Sequence, residues 1–338
     1  MTFPEMVQPL IERKDLSEQQ ASLLMRHLMS GEANDAQIGA VLFGLRMKGC
    51  TTKELASFVR VLREKAAILD HNYQNLVDTC GTGGGTESFN ISTAAAIIAC
   101  AAGARIAKHG NRAVTSKCGS ADVLESMGIP INGDAERLGH MLETIRMVFL
   151  FAQAHHPAMR HVGRARKDLG VRTVFNQLGP LLNPANARRQ LIGVYDAALM
   201  RSMGEALREL ESERAFIVHG MDGLDEISPV APTEYVKVWN GKVSSGTFEL
   251  KDFGLEPIDA SALQAGADPA ENGNILREAV TDWTSSRSRA VLPSAAAAIM
   301  LAGIADDLPN AAEIAHSTVK SGLAAAKLNE LIQFGEGE

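Results

Sequence analysis

Apolar residues in the first 70 positions recur at the three- and four-residue spacing of an amphipathic helix: Leu24, Met25 and Leu28, then Ile38, Val41, Leu42 and Leu45, then Leu55, Phe58, Val59 and Leu62. A capping pair precedes each set, Ser17 with Gln20, Asn34 with Gln37 and Thr51 with Glu54. In such a pair the two side chains satisfy free N–H groups of the first helical turn. Gly31 fits a helix stop, where a left-handed residue closes the last turn. These signals predict a small helical domain over residues 1–70.

After His71 the pattern changes to short apolar runs that end in glycine-rich or polar turns and alternate with alanine-rich helical segments. Residues 76–80, 104–107, 148–152 and 215–219 are predicted strands, and 92–102, 121–127 and 197–210 predicted helices. Strand and helix in alternation predict an α/β domain over residues 71–338 with a mainly parallel central sheet. Alternating apolar residues at 235–239, followed by Asn240-Gly241 and Lys242-Val243, predict a hairpin with a type I′ turn. From about Pro269 the chain returns to alanine-rich helices.

Composition narrows the function. Of 338 residues, 46% are hydrophobic, and 33 Lys and Arg stand against 40 Asp and Glu for a net charge of −7. This acidic balance is no footprint for nucleic acid, so an anionic ligand has to be held by local groups. The apolar stretches 94–104 and 290–305 fall short of the roughly 18 to 20 residues of a membrane span. The N-terminus lacks the basic region and apolar core of a signal peptide. Cys50, Cys80, Cys100 and Cys118 form no C-x-x-C pair and read as reduced thiols. A cytoplasmic protein without membrane or nucleic-acid partners is expected.

Four segments carry candidate chemistry. The first is Asp78-Thr79-Cys80-Gly81-Thr82-Gly83-Gly84-Gly85, followed by Asn90-Ile91-Ser92-Thr93 and a helix. Glycines after a strand let backbone N–H groups approach an anion, and the helix N-terminus adds its positive end. The run matches neither the dinucleotide fingerprint nor the Walker loop, and it also fits a plain glycine turn with a Ser/Thr cap. The second is Lys108-His109-Gly110-Asn111-Arg112, continuing through Ser116, Lys117 and Ser120, directly after a strand, where open α/β sheets bind ligands. The third is the adjacent pair Asp225-Glu226, suited to Mg²⁺, which takes one or two carboxylates and completes its shell with water and phosphates. Surface charge is the ordinary alternative. The fourth runs from His155-His156-Pro157 through Arg166 and Gly170 to Phe175-Asn176 and Pro180-Leu181-Leu182-Asn183-Pro184. An arginine there can offer a planar fork to a carboxylate, but spacing does not choose among Arg160, Arg164, Arg166 and Arg172.

Taken in order, these segments resemble the anthranilate phosphoribosyltransferase family of tryptophan biosynthesis: GTGG, N-x-S-T, KHGNR with S-K-x-G-S-A-D-V-L-E, H-P-A-M, R-x-x-L-G-x-R-T, F-N-x-L-G-P-L-x-N-P and D-G-L-D-E-I-S. The resemblance implies a nucleoside phosphorylase/phosphoribosyltransferase-like α/β fold, a small helical domain completed by helices from about 157–177, and a homodimer through the helical domain. It also implies the substrates anthranilate and phosphoribosyl pyrophosphate (5-phosphoribosyl 1-pyrophosphate), with Mg²⁺ as cofactor. Carried over residue by residue, Gly81, Gly84, Gly85, Ser88, Asn90, Ile91, Ser92, Thr93, Lys108, Asn111, Ser116 and Ser120 fall on the phosphoribosyl pyrophosphate site. Gly81, Asn111, Arg166, His109, His156 and Pro180 fall on the anthranilate side, and Ser92, Asp225 and Glu226 on the metal. No acid/base residue is implied.

The chain departs from the family pattern at Gly85, where Asp is common, in a loop one residue shorter over 86–89, and at Gln153, where Pro is common. Loss of a carboxylate beside the pyrophosphate predicts that Gly85→Asp alters Mg²⁺ use and leaves anthranilate alone, with Glu87 as the nearest substitute for the missing charge. A pyrimidine nucleoside phosphorylase shares the architecture but not the KHGNR and D-E segments. A nucleic-acid-binding relative would carry a basic face.

Overall fold

The computed structural model describes residues 2–113 and 117–336. Helices Phe3–Ile11, Glu18–Ser30, Asp35–Lys48 and Thr52–Glu64 open the chain. Three of them begin at the capping pairs legible in the sequence, and Gly31 closes one with φ 84°. One cap does more than start its helix. The Glu54 carboxylate is fully buried and accepts from the Thr51 N–H at 2.7 Å, the Leu16 N–H at 2.8 Å and the Lys48 ammonium at 2.8 Å. It thereby ties the preceding loop to the bundle, with both carboxylate oxygens hydrogen-bonded.

Seven strands follow: β1 Leu76–Gly81, β2 Arg105–Gly110, β3 Met147–Phe151, β4 Arg189–Gly193, β5 Arg214–Gly220, β6 Thr233–Trp239 and β7 Lys242–Phe248. They form one sheet in the order β3-β2-β1-β4-β5-β6-β7. The first five in that order run parallel, and the β6–β7 hairpin adds antiparallel to β5. Asn240 and Gly241 turn the hairpin with φ 49° and 77°, the two positive values a type I′ turn requires. The sequence reading omitted β4. Its polar start, Arg189-Gln190, broke the apolar run, yet Gln190 is fully buried and donates to the Pro180 carbonyl at 2.8 Å and to Asp78 at 3.3 Å.

Side chains alternate across the sheet. Leu191, Phe216 and Val218 face a core shared with helices Ile91–Ala101, Ser286–Ala302 and Leu323–Glu336. Ile192, Ile217 and Val236 face a second core, which also contains the N-terminal helices. Helix Arg160–Leu169 sends Val162 and Ala165 into that second core, and helix Val174–Leu178 sends Val174, Phe175 and Leu178. The 157–178 stretch therefore lies between the bundle and the ends of the strands. None of the four cysteines is in a disulfide. No helix among the described residues is long and apolar enough to cross a membrane.

Candidate active site

β1 and β4 lie side by side while the chain leaves them in opposite directions, to β2 and to β5, which makes their C-terminal ends the switch point where α/β sheets open a crevice. Gly81 and Gly193 are paired across these ends. A Cβ on Gly193 would stand 1.7 Å from the Asp225 carbonyl oxygen, so only glycine lets the 220–226 turn cross the strand tips. That turn closes through the Gly220 N–H donating to Leu224 O at 2.8 Å and delivers Asp225 and Glu226 over the crevice. Glu226 is held at the start of helix Ile91–Ala101, where its Oε1 accepts from the Ser92 N–H at 3.0 Å, and its Oε2 accepts from the Ser294 hydroxyl at 3.4 Å.

Burial raises the pKa of both carboxyl groups, and the charge of Asp225 helps push Glu226 up to about 8. Among the described residues no three His, Cys, Asp or Glu side chains gather into a metal cage. Two half-buried carboxylates beside a serine fit Mg²⁺ that completes its shell with phosphate oxygens and water. The Ser92 hydroxyl accepts from the Lys108 ammonium at 3.2 Å and retains a second lone pair for a cation.

The loop after β1 turns through left-handed glycines, Gly83 at φ 65° and Gly84 at 86°. It is pinned on several sides: Thr82 N–H to Gly193 O at 2.9 Å, Tyr195 N–H to Thr82 Oγ1 at 3.0 Å, and Thr86 N–H to Gly223 O at 2.8 Å. The N–H groups of Gly84 and Gly85 have no partner among the described residues. Gly85 is glycine for a reason the sequence did not show. A Cβ there would lie 2.7 Å from Asp225 N and from Gly223 O, and 2.8 Å from Asp225 Oδ1. Any side chain at 85 must push the Asp225 turn, so Gly85→Asp brings a steric effect beside the expected change of charge. Glu87 does not replace the missing carboxylate, since it pairs with Lys117 at 3.3 Å. Gly85→Ala and Gly85→Asp are both expected to lower kcat/KM for phosphoribosyl pyrophosphate about tenfold, the lower end of a 1–3 kcal/mol overpacking cost. Steady-state kinetics of the pair checks this, and an Ala variant with native parameters would contradict it.

β2 supplies the basic side. Lys108 is 1% exposed, with its ammonium on the Thr79 carbonyl and the Ser92 hydroxyl. Burial lowers its pKa against the opposing pull of Asp78. His109 N–H donates to the buried Asp78 carboxylate at 3.0 Å, which fixes the end of β2 against β1. Asn111 Oδ1 accepts from Gln153 at 3.3 Å, so the residue in place of the family's proline has a partner within the site.

The structure selects one arginine for the far wall. Arg164 is exposed and paired with Asp35 and Asp168, and Arg160 is exposed. Arg172 donates to the Gly84 carbonyl. Arg166 lines the cleft, stacks on Phe175 at 5.1 Å and has no hydrogen-bond or ion-pair partner among the described residues. Burial lowers its pKa, as for a cation awaiting an anion. His109 and His156 stand edge to face at 5.2 Å, each with an unpartnered Nε2. Burial, reinforced by neighbouring histidines, drives His109 well down and His156 to about 4, so both rings are neutral at pH 7.

These groups surround a cavity of about 320 Å³, within the usual range for a small-molecule site. Of the residues singled out in the sequence, Gly81, Asn90, Ser92, Lys108, His109, Asn111, Ser120, Arg166, Pro180, Asp225 and Glu226 line it. Gly84, Gly85, Ser88, Ile91, Thr93 and His156 are not among the lining residues, and Ser116 lies outside the described residues. Thr82, Phe175 and Asn176, to which the sequence assigned no role, also line it, as does Arg172, one of the four candidate arginines. Their signal was position, since each sits within or beside a motif already noted.

Comparison with known proteins settles the family. The glycosyl transferase family, helical bundle domain, matches residues 4–66, and the glycosyl transferase family, a/b domain, matches residues 73–325. The anthranilate phosphoribosyltransferase of Desulforudis audaxviator is 43% identical over 98% of this chain and 96% of its own. This chain belongs to the anthranilate phosphoribosyltransferase family. The crystal structure of the Thermus thermophilus member superposes with a TM-score of 0.91 at 37% identity, covering 98% of this chain and 99% of that one. The Saccharomyces cerevisiae member in complex with phosphoribosyl pyrophosphate and Mg superposes at 0.88 with 27% identity, covering 99% and 98%. The same yeast enzyme with 4-fluoroanthranilate superposes at 0.85 with 25% identity over 99% and 98%. As a phosphoribosyltransferase of tryptophan biosynthesis, the chain has to bring an aromatic amine and a sugar diphosphate together at one carbon, and its switch-point cleft has walls of suitable chemistry for both.

Proposed function

We propose that phosphoribosyl pyrophosphate lies along the 81–85 loop and the start of helix Ile91–Ala101, and that anthranilate lies against Arg166, Pro180 and Asn111. Mg²⁺ binds at Ser92, Asp225 and Glu226 in this reading. The observation that carries it is the presence, in the lining of one cavity, of an unpaired guanidinium and a half-buried carboxylate pair. Arg166 takes the anthranilate carboxylate and so aims the amine at the sugar. The loop N–H groups and the helix N-terminus take the pyrophosphate oxygens. The amine nitrogen bonds to ribose C1 as the C1–O bond to pyrophosphate breaks, and the nitrogen sheds a proton to solvent. Bound Mg²⁺ neutralises the charge that builds on the departing pyrophosphate. The two neutral histidines shape the aromatic pocket and add no charge to it.

The 5-phosphate side includes Lys108, Asn90 and Ser120 in this reading. Residues 1–70 together with 157–177 make up the small domain, and 71–338 the large one. A homodimer through the small domain is supported by apolar side chains left open on its helices, Ile11 at 71%, Phe43 at 54% and Met47 at 56% exposure. The unpaired thiols support a cytoplasmic setting. Pyrophosphate release is the test, measured with phosphoribosyl pyrophosphate, Mg²⁺ and a panel of 2-, 3- and 4-aminobenzoate and aniline. Release with the 2-isomer well above the others is expected. Equal release with all amines, or none with anthranilate, would overturn the reading.

A further inference from the structure

Among the pins on the glycine loop, one comes from outside the sheet. Helix Arg160–Leu169 ends at Gly170, in the left-handed conformation with φ 63°, and the next helix starts at Val174 with Thr173 capped by Asn176 at 3.0 Å. Arg172 lies in this short, doubly anchored connection, six residues after Arg166. Its Nη2 donates to the Gly84 carbonyl at 2.6 Å, and its guanidinium carbon sits over the Tyr195 ring, 3.8 Å from the ring centroid. Tyr195 is in turn fixed to the loop through its N–H on Thr82 Oγ1. The contact is close enough that a Cβ on Gly84 would meet Arg172 Nη2 at 2.3 Å.

We propose that Arg172 is a positioning residue for phosphoribosyl transfer, holding the glycine loop, whose Gly81, Thr82 and Gly83 line the cleft, from the segment that carries Arg166. The physical link is the planar trans peptide, in which the N–H of Gly85 points opposite to the C=O of Gly84. By taking that carbonyl, Arg172 sets the direction of the one N–H that follows it, and this N–H has no other partner to orient it. Left-handed glycines at 83 and 84 have wide conformational freedom, so an external clamp has an ensemble to narrow. The stack on Tyr195 keeps the guanidinium in one plane and uses the planarity that distinguishes arginine from lysine.

The proposal rests on the reading of the loop as the pyrophosphate site, and the experiment separates the two. KM for each substrate, kcat and the melting temperature are measured for the full chain and for Arg172→Met, Arg172→Lys, Tyr195→Phe and Tyr195→Ala. Arg172→Met removes the donor and keeps the stem. It is expected to raise KM for phosphoribosyl pyrophosphate roughly 10- to 100-fold, the worth of one charge-assisted hydrogen bond, with the anthranilate KM within about twofold. Arg172→Lys restores a donor and should recover part of the loss. Tyr195→Phe keeps the stack and should match the unaltered enzyme, while Tyr195→Ala should follow Arg172→Met. A native phosphoribosyl pyrophosphate KM in Arg172→Met overturns the proposal. So does a rise in both KM values together with a fall in melting temperature in Arg172→Met and Tyr195→Ala alike, which marks a merely structural contact. If the unaltered enzyme releases no pyrophosphate, the underlying reading fails and the proposal falls with it.

Discussion

Replacing Asp225 and Glu226 together by Asn and Gln is expected to lower kcat on the order of a thousandfold while leaving the melting temperature at or above its native value. Both carboxyl groups are half-buried at the cavity in which the proposed reading places the pyrophosphate leaving group. Without a cation, negative charge would meet negative charge in a medium that screens poorly. Stabilising the departing oxygens through a metal is worth several kcal/mol, and removing that contribution sets the thousandfold scale. The fold has less to lose. Burial already disfavours the charged form of both side chains, and an amide of equal shape carries no such penalty. The Ser92 N–H to Glu226 contact survives in Gln, whose amide oxygen also accepts. Turnover and Mg²⁺ dependence are measured beside a thermal melt. Native turnover with native metal dependence would remove the pair from the site, and a collapsed melt would make it structural.

Arg166→Ala is expected to reduce kcat/KM for anthranilate by about one to two decades, matching the 1.5–3 kcal/mol of a charge-assisted bond to a carboxylate. The KM for phosphoribosyl pyrophosphate should change less. Three features together set Arg166 apart from its neighbours: it is partly buried, it lines the cavity, and it makes neither an ion pair nor a hydrogen bond among the described residues, whereas Arg172 is already engaged by the Gly84 carbonyl. A guanidinium desolvated without a protein partner is poised for a ligand carboxylate, and the neutral His109 and His156 leave it as the charged group on that wall. If the anthranilate parameter holds and the other KM rises, the arginine belongs to the sugar phosphate.

The N-terminal helices were legible because caps and apolar stripes are local signals, and their boundaries at Ser17, Asn34 and Thr51 match the structure. The β6–β7 turn was legible for the same reason, as Asn-Gly carries its own backbone requirement. β4 was not. Its buried Gln190 is polar because the Pro180 carbonyl and the Asp78 side chain need a donor, and Asp78 lies 112 residues away in sequence. Gly85 misled in the same way. A glycine in place of an acid looks like a lost charge until the Asp225 turn is seen filling the space that a Cβ would need. The choice of Arg166 over Arg160, Arg164 and Arg172 was also hidden. It depends on burial and on which neighbours carry carboxylates, and helical spacing reports neither.

The most direct measurement is a crystal structure of the enzyme with phosphoribosyl pyrophosphate, anthranilate and Mn²⁺ in place of Mg²⁺, so that anomalous scattering locates the metal. The account predicts a metal peak beside Asp225, Glu226 and the Ser92 hydroxyl, pyrophosphate oxygens on the N–H groups of the 81–85 loop, and the anthranilate carboxylate on Arg166. A metal peak away from Asp225 and Glu226, or an anthranilate carboxylate turned away from Arg166, would contradict it.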